Sequence, residues 1–478
     1  MTTSNETFSS SVAGLVRSPA FKFFLILGLI ILLMIPQMIV WALVSDRESR
    51  AREVAREVGA IWGPQQSMTG PVILVPFEER QQVRRGDELE EVLRTRTAVI
   101  TPAALNITTN AKVQELQRSI FKVPVYESTV AVTGRFDRLQ LDGLSTTLDN
   151  IRWDDAVLAL GISGVRGLKN AAVLTRPGVD DVSFAPSVGR PGLRDVGIHA
   201  PLSLRPAPSG RGSPDPSTGT TAQRVGATTA QGFEFTINLK LNGSVLFNVT
   251  PSARETQLQV TSDWPHPSFA GYFSPNERRI SDTGFEATWS VPHLARSVPE
   301  RWVVNGNSAL SRLTQYAFGV RLVEPVDFYD QISRSLKYGL GFLTLVFMAV
   351  FALEVSAKSR VHPVQYLFTG VSLIFFYVLL LALAEHIGFH IAYGLAAIAT
   401  GVMLAAYCGM ALKSFAKGML MLGVFAGVYG LLYLILQLED YALLAGALLG
   451  FTALTAIMFG TLRVDWSGRG RVAETPSA

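Results

Sequence analysis

The residues able to do chemistry are few, and those near apolar segments cluster. Glu385-His386-Ile387-Gly388-Phe389-His390 sets two imidazoles four residues apart beside a carboxylate. On one continuous helix both rings would share a face and could ligate a metal ion or relay a proton. The zinc-protease order His-Glu-x-x-His is missing, and the inverted order would need histidine at Ala382. Gly388 also suits a turn better than a helix. The plainer reading is a set of interfacial polar residues at a helix end. His362 stands directly before Pro363, and proline in a first turn is a helix start signal. That histidine reads as a cap or a lipid-headgroup contact.

A second cluster is Thr261 to Phe273, TSDWPHPSFAGYF, the densest aromatic and proline stretch in the chain. Pro265 and Pro267 flank His266 and hold its backbone extended. Trp264, Phe269, Tyr272 and Phe273 either line a ligand groove or fill a core beneath a sheet. Asp263, His266 and Ser268 are the residue types of a hydrolase triad. Packed into so short and rigid a segment they cannot converge, and no Gly-x-Ser-x-Gly elbow accompanies them. The single cysteine, Cys408, lies in an apolar run, which excludes disulfides, paired-cysteine redox chemistry and cysteine zinc sites. There is no phosphate-binding loop and no dinucleotide fingerprint. The expectation is a protein that is not an enzyme and carries no cofactor or metal. Its candidate functional residues are Trp264, Pro265, His266, Pro267, Phe269, His362, Glu385 and His386.

These residues are positioned by two kinds of element. The 478 residues have a mean hydropathy of +0.29 and only 17% charged side chains, the balance of a membrane protein. The net charge of +4 comes without the basic block that nucleic acid would need. Pro363 to Ala384 is 22 residues without a charge, enough to cross a bilayer as a helix. Phe21 to Val44 is an uncleaved anchor by its length and by Trp41 at its end. Asp46 to Val58 continues from it as an amphipathic helix. Further apolar runs cover Tyr338 to Val355, Ile391 to Leu412, Met419 to Leu438 and Tyr441 to Leu462. Glu354 stands four residues before Lys358, a favourable helical pair spacing.

Between the first and second spans the pattern changes to strands. Pro71–Phe77, Thr95–Ile100, Val123–Phe136, Ala156–Ile162, Leu258–Val260, Phe285–Trp289 and Phe318–Val323 are rich in β-branched and aromatic residues. Phe233 to Val249 alternates around Asn242-Gly243, which predicts a hairpin with a type I′ turn. Arg205 to Gln231 is Pro, Gly, Ser and Thr with almost no apolar residues and reads as a flexible loop. The length would also suit two packed β subdomains.

Orientation follows from lysine and arginine in the short loops. Lys358 and Arg360, then Lys413 and Lys417, then Arg463, Arg469 and Arg471 mark the inside; the alternate loops carry none. Arg47, Arg50, Arg52 and Arg56 vote the other way, but they open a domain long enough to translocate regardless of charge. The expected architecture is a mixed membrane protein. It has six transmembrane α-helices, one N-terminal and five C-terminal, and a large, mainly-β antiparallel periplasmic domain. Its parts are a cytoplasmic leader at 1–20, a span at 21–44, the β-rich domain at 45–335 with its loop at 205–231, a five-helix block at 336–462 and a cytoplasmic tail at 463–478.

TSDWPHPSFAGYF, GFEATW (Gly284 to Trp289), HPVQYL (His362 to Leu367), LALAEHIGFH (Leu381 to His390) and GPVILVPF (Gly70 to Phe77) together resemble the CreD family over about Ser18 to Trp466. The family usually carries aspartate where Gly164 stands. The resemblance implies a bacterial inner-membrane protein of cell-envelope integrity. It also implies two-component stress control and effects on colicin tolerance and β-lactam response. It implies no reaction and no catalytic residues. The expected partners are the lipid bilayer and an envelope protein or cell-wall component met by the β domain, and no nucleic acid. A transporter or lipid-handling protein that uses Glu385 and His386 as gate residues is the alternative.

Overall fold

The computed structural model describes residues 19–85, 88–144, 148–187, 197–204, 228–304, 313–323, 328–357, 361–438 and 442–461. The expected leader before residue 19, most of the 205–231 loop, Lys358, Arg360 and the tail lie outside them. The chain divides into two compact units. One comprises residues 1–52 and 326–478, the other residues 53–325.

The first unit is helical. Its helices are α1 (Pro19–Trp62, whose last residues belong to the second unit), α2 (Phe328–Ala357), α3 (Pro363–Ile387), α4 (Phe389–Ala411), α5 (Phe415–Gln437) and α6 (Ala442–Thr461). Among the described residues five helices, α1 to α5, are long and apolar enough to cross a membrane. Apolar side chains also cover the outside: Met38, Phe368, Phe375, Ile391 and Ile398 are each more than half exposed. In water such a surface would be a liability, but in hydrocarbon it is the expected one. The interior is packed by Leu33, Phe347, Phe351, Phe376 and Phe425. Gly370 lets α1 approach: a Cβ there would lie 2.2 Å from Leu33 Cδ1.

The described residues of the second unit form a two-stranded sheet, which pairs Leu139–Gln140 with Thr229–Ala230, and two large ones. The larger has ten strands. Its main path runs Ala185–Pro186, Gly197–Leu202, Ala156–Ile162, Gln66–Arg85, Leu246–Thr250, Phe318–Leu322 and Pro267–Gly271, and Glu88–Ile100 branches from Gln66–Arg85. The other has eight strands, ordered Glu277–Ser281, Gly284–Pro292, Glu255–Ser262, Ala104–Arg118, Phe121–Phe136, Phe233–Ser244, Val173–Arg176 and Val179–Ser183. Neighbours are antiparallel except Gln66–Arg85 with Leu246–Thr250 and Ala104–Arg118 with Glu255–Ser262. Alternation drives burial. In Glu255–Ser262 every second residue points into the core, the period a strand imposes. Phe77 and Leu158 of one sheet join Val130, Ile237 and Trp289 of the other in one cluster. The largest cluster therefore spans both sheets within one compact unit, in place of the two subdomains that length alone suggests, and smaller clusters around Trp302 and Val125 accompany it.

The hairpin expected at Asn242-Gly243 is not formed. Phe233–Ser244 stays paired with Phe121–Phe136 along its whole length, with Gly243 opposite Tyr126. The chain then turns at Val245, whose φ of 61° is left-handed, and Leu246–Thr250 enters the other sheet. The glycine answers a packing need instead of a turn: a Cβ at Gly243 would sit 2.3 Å from the Tyr126 ring. Asn242 is buried beside it. Gly164 is similarly constrained, because a Cβ there would lie 2.4 Å from Pro64 Cγ.

Candidate functional site

The Thr261–Phe273 stretch starts at the end of Glu255–Ser262 in the eight-stranded sheet and crosses to the ten-stranded one, where Pro267–Gly271 is an edge strand. Pro267–Gly271 pairs only with Phe318–Leu322, and proline suits such an edge because it has no ladder donor to give. Trp264 is half-buried, and its indole N–H donates to Val323 O at 3.0 Å. Pro265 is half-buried next to it. Phe269 packs edge-on against Phe285 and Trp289 at 6.1 and 5.8 Å, and Phe273 meets Phe318 at 5.7 Å. His266 is exposed, with its ring edge-on to Trp264. Asp263 accepts the Val113 N–H at 2.8 Å. The structure does not bring Asp263, His266 and Ser268 together through any hydrogen bond. Most of the motif is therefore core and clasp, holding the last strand of the β unit. Trp264→Ala should destabilise this unit by about 2 kcal/mol through lost packing and one hydrogen bond. His266→Ala should change it by less than about 0.5 kcal/mol. Pulse proteolysis of the full-length protein in detergent measures both.

In the helical unit, Gly388 has a φ of 78° and separates α3 from α4. His386 and His390 thus lie on different helices and cannot act as an i, i+4 ligand pair. His390 Nδ1 is 3.0 Å from the Tyr433 hydroxyl. Among the described residues no group of three or more His, Cys, Asp or Glu is placed to hold a metal. His362 is the N-cap of α3: its side chain accepts from Val364 N, and Gln365 accepts from the His362 N–H. Glu385 is mostly buried, 3.8 Å from Arg47 Nε, and it accepts from the Tyr329 hydroxyl at 3.2 Å.

Sequence spacing missed the counterpart at the other end of the bundle. Glu354 is 4% exposed and pairs with Lys22. It also accepts from Tyr366 Oη at 2.9 Å and from Val361 N at 2.8 Å. Helix α1 is thus tied to the other helices by ion pairs at Lys22, near its start, and at Arg47, with Gln37 Nε2 donating to Leu336 O between them. At 1.5 Å per residue about 37 Å of helix separates Lys22 from Arg47, slightly more than a hydrocarbon core of about 30 Å.

The outer face of the eight-stranded sheet carries a feature that no local motif announces. Register aligns Gln257 with Asn106, Asn106 with Thr133, Thr133 with Thr236 and Thr236 with Thr175. This row of neutral amides and hydroxyls crosses five strands and lines a groove of about 540 Å³. Arg135 flanks the row between Glu234 and Glu255. Burial patterns of the single strands mark these positions as outward, but their alignment depends on pairings that sequence does not display.

The charged group at the sheet junction is structural. Arg254 donates through Nε and Nη2 to Glu300, at 2.9 Å each, and reaches Asp137 at 3.3 Å. The Arg254 hydrogen bonds hold the Glu300 carboxyl below the usual carboxylate range. With the folded pKa depressed, this stabilisation is complete above the unfolded value of about 4.3 and is lost as pH falls through the lower folded value. Glu300 is about one-third exposed, so the gain is about 0.5–1 kcal/mol. Glu300→Gln should accordingly lower stability at neutral pH and flatten its loss below about pH 4, as followed by proteolysis midpoints.

A family model described as Inner membrane protein CreD matches residues 18–467. The chain is 30% identical to Inner membrane protein CreD of Escherichia coli (strain K12) over 455 residues, 95% of each protein.

Proposed function

Because the chain belongs to the CreD family of inner membrane proteins, we propose that it is a non-enzymatic protein maintaining the integrity of the bacterial envelope. In this reading the β unit lies in the periplasm and meets an envelope protein or cell-wall component. The chain crosses the membrane six times, with α6 as the last span and both termini in the cytoplasm. Two-component stress control and effects on colicin tolerance and β-lactam response belong to the same reading. The orientation is supported by the lysines of the α4–α5 turn set against the α3–α4 junction, which carries no lysine or arginine. The spacing of the two ion pairs along α1 fits a helix that spans the hydrocarbon.

The observation that carries the binding role is the row from Gln257 to Thr175. Strands about 4.8 Å apart repeat hydroxyl and amide groups at that interval. Such a face can hydrogen-bond an extended polar chain without the cost of desolvating a charge at every step. Thr133→Arg places a long cation in the middle of the row without touching the core. In a strain lacking the protein, this variant should insert normally, melt like the parent and fail to restore envelope resistance. Full restoration would contradict the proposal. A transport role through Glu385 and His386 is the second reading. The Arg47 and Tyr329 contacts already occupy Glu385 in helix packing. Loss of function in Glu385→Gln with Thr133→Arg fully active would favour transport.

A further inference from the structure

We infer that the α4–α5 turn is a binding site for one molecule of an anionic phospholipid. A groove of about 530 Å³ opens between these helices, within the range of small-molecule sites. Val402, Ala406 and Met410 of α4 face Phe415, Met419 and Leu422 of α5 across it. Its walls are apolar, and Met410 and Phe415 are 71% and 85% exposed at the turn. Lys413 lines the mouth.

Three cationic features lie at this turn, and Lys413 is the side chain among them that lines the groove. Lys413 is the first and Lys417, the third residue of α5 and outside the groove lining, the second; neither has an ion-pair partner among the described residues. The third is the start of α5, a helix of 23 residues. Its N-cap Ser414 makes no side-chain cap, which leaves the first-turn N–H groups of Phe415, Ala416 and Lys417 open toward an anion. From Phe389 to Leu438 the sequence holds no aspartate or glutamate, so nothing on these two helices offsets the charge. Apolar walls below a cationic rim match an acyl chain below a phosphate.

The turn itself carries a mark of this use. Ser414 N bonds Gly409 O and Lys413 N bonds Met410 O, the pairing of a helix end whose next residue is left-handed. Glycine ordinarily takes that place, yet Lys413 holds it at φ 50°. A lysine kept where glycine is favoured points to the side chain as the reason. Lys413→Gly therefore removes the charge while suiting the backbone.

The test titrates full-length protein in neutral detergent with dioleoylphosphatidylglycerol, and with dioleoylphosphatidylcholine as the zwitterionic control, reading bound lipid by native mass spectrometry. Phosphatidylglycerol should bind roughly tenfold more tightly than phosphatidylcholine, given the contribution of each lysine near a phosphate. Lys413→Gly with Lys417→Gln should remove that preference at an unchanged melting temperature. Ala406→Trp, which fills the groove but keeps both lysines, should weaken both lipids. Inorganic phosphate at millimolar concentration should displace neither. Equal binding of the two lipids, retained preference in the lysine variant, unaltered binding in Ala406→Trp, or displacement by phosphate would each overturn the site.

Discussion

Glu354→Ala is expected to destabilise the helical unit by about 3–4 kcal/mol. The carboxylate is almost fully buried and serves three donors at once: Lys22, the Tyr366 hydroxyl and the Val361 N–H. Removing it leaves an ammonium and two neutral donors without their acceptor, and Tyr366 is itself only 2% exposed. The cost is that of orphaned groups more than of a lost attraction. Lys22 keeps some contact with solvent, so Lys22→Met should cost less, about 1–2 kcal/mol. The Lys22→Met, Glu354→Ala double variant should be less destabilised than the sum of the two single changes, because each already breaks the shared pair. Unfolding in mixed detergent, followed by the loss of helical circular dichroism, measures all of them. Strict additivity would mean that the pair does not fasten α1.

Trp289→Ala is expected to destabilise the β unit by about 3–5 kcal/mol, the range for emptying a large core aromatic. Trp289 has no exposed surface, packs against Phe269 and Phe318, and donates its indole N–H to Phe273 O at 3.2 Å. These contacts join Gly284–Pro292 of the eight-stranded sheet to Pro267–Gly271 and Phe318–Leu322 of the ten-stranded one. Trp289→Phe keeps most of the volume and loses the hydrogen bond, so it should cost about half as much. Pulse proteolysis, scored by cleavage within residues 53–325, separates the two variants. Equal costs would show that the hydrogen bond, not the filled volume, governs this junction.

The helices were the most legible part of the sequence, because a bilayer demands long uncharged runs and little else satisfies that demand. Pro363 to Ala384 marks α3 within three residues of its true end at Ile387. Ala156–Ile162 is a strand over the predicted range. Ala104–Arg118 was missed although Leu105, Ile107, Ala111 and Val113 alternate in it, since asparagine and threonine dilute the apolar signal. Asn242-Gly243 misled because the same dipeptide that favours a tight turn also serves a close ring contact, and only the partner strand decides between them. Glu354 shows the limit most plainly. Local spacing pointed to Lys358, whereas the partner found among the described residues is Lys22, at the far end of the chain. The aligned row on the outer sheet face was illegible for the same reason, being assembled from five separate segments. The Trp264 motif was legible as a rigid aromatic unit, but its role as a clasp required knowing that Val323 returns beside it.

The most direct measurement of the account is cysteine labelling at the middle of that row. Cys408 is the single native cysteine and is buried, so Thr133→Cys in a Cys408→Ala background reports on the sheet face alone. Cells with a permeabilised outer membrane and an intact inner membrane are treated with a membrane-impermeant maleimide. The account predicts full labelling of Thr133→Cys before the inner membrane is opened. Labelling only after inner-membrane lysis would put the β unit in the cytoplasm and contradict it.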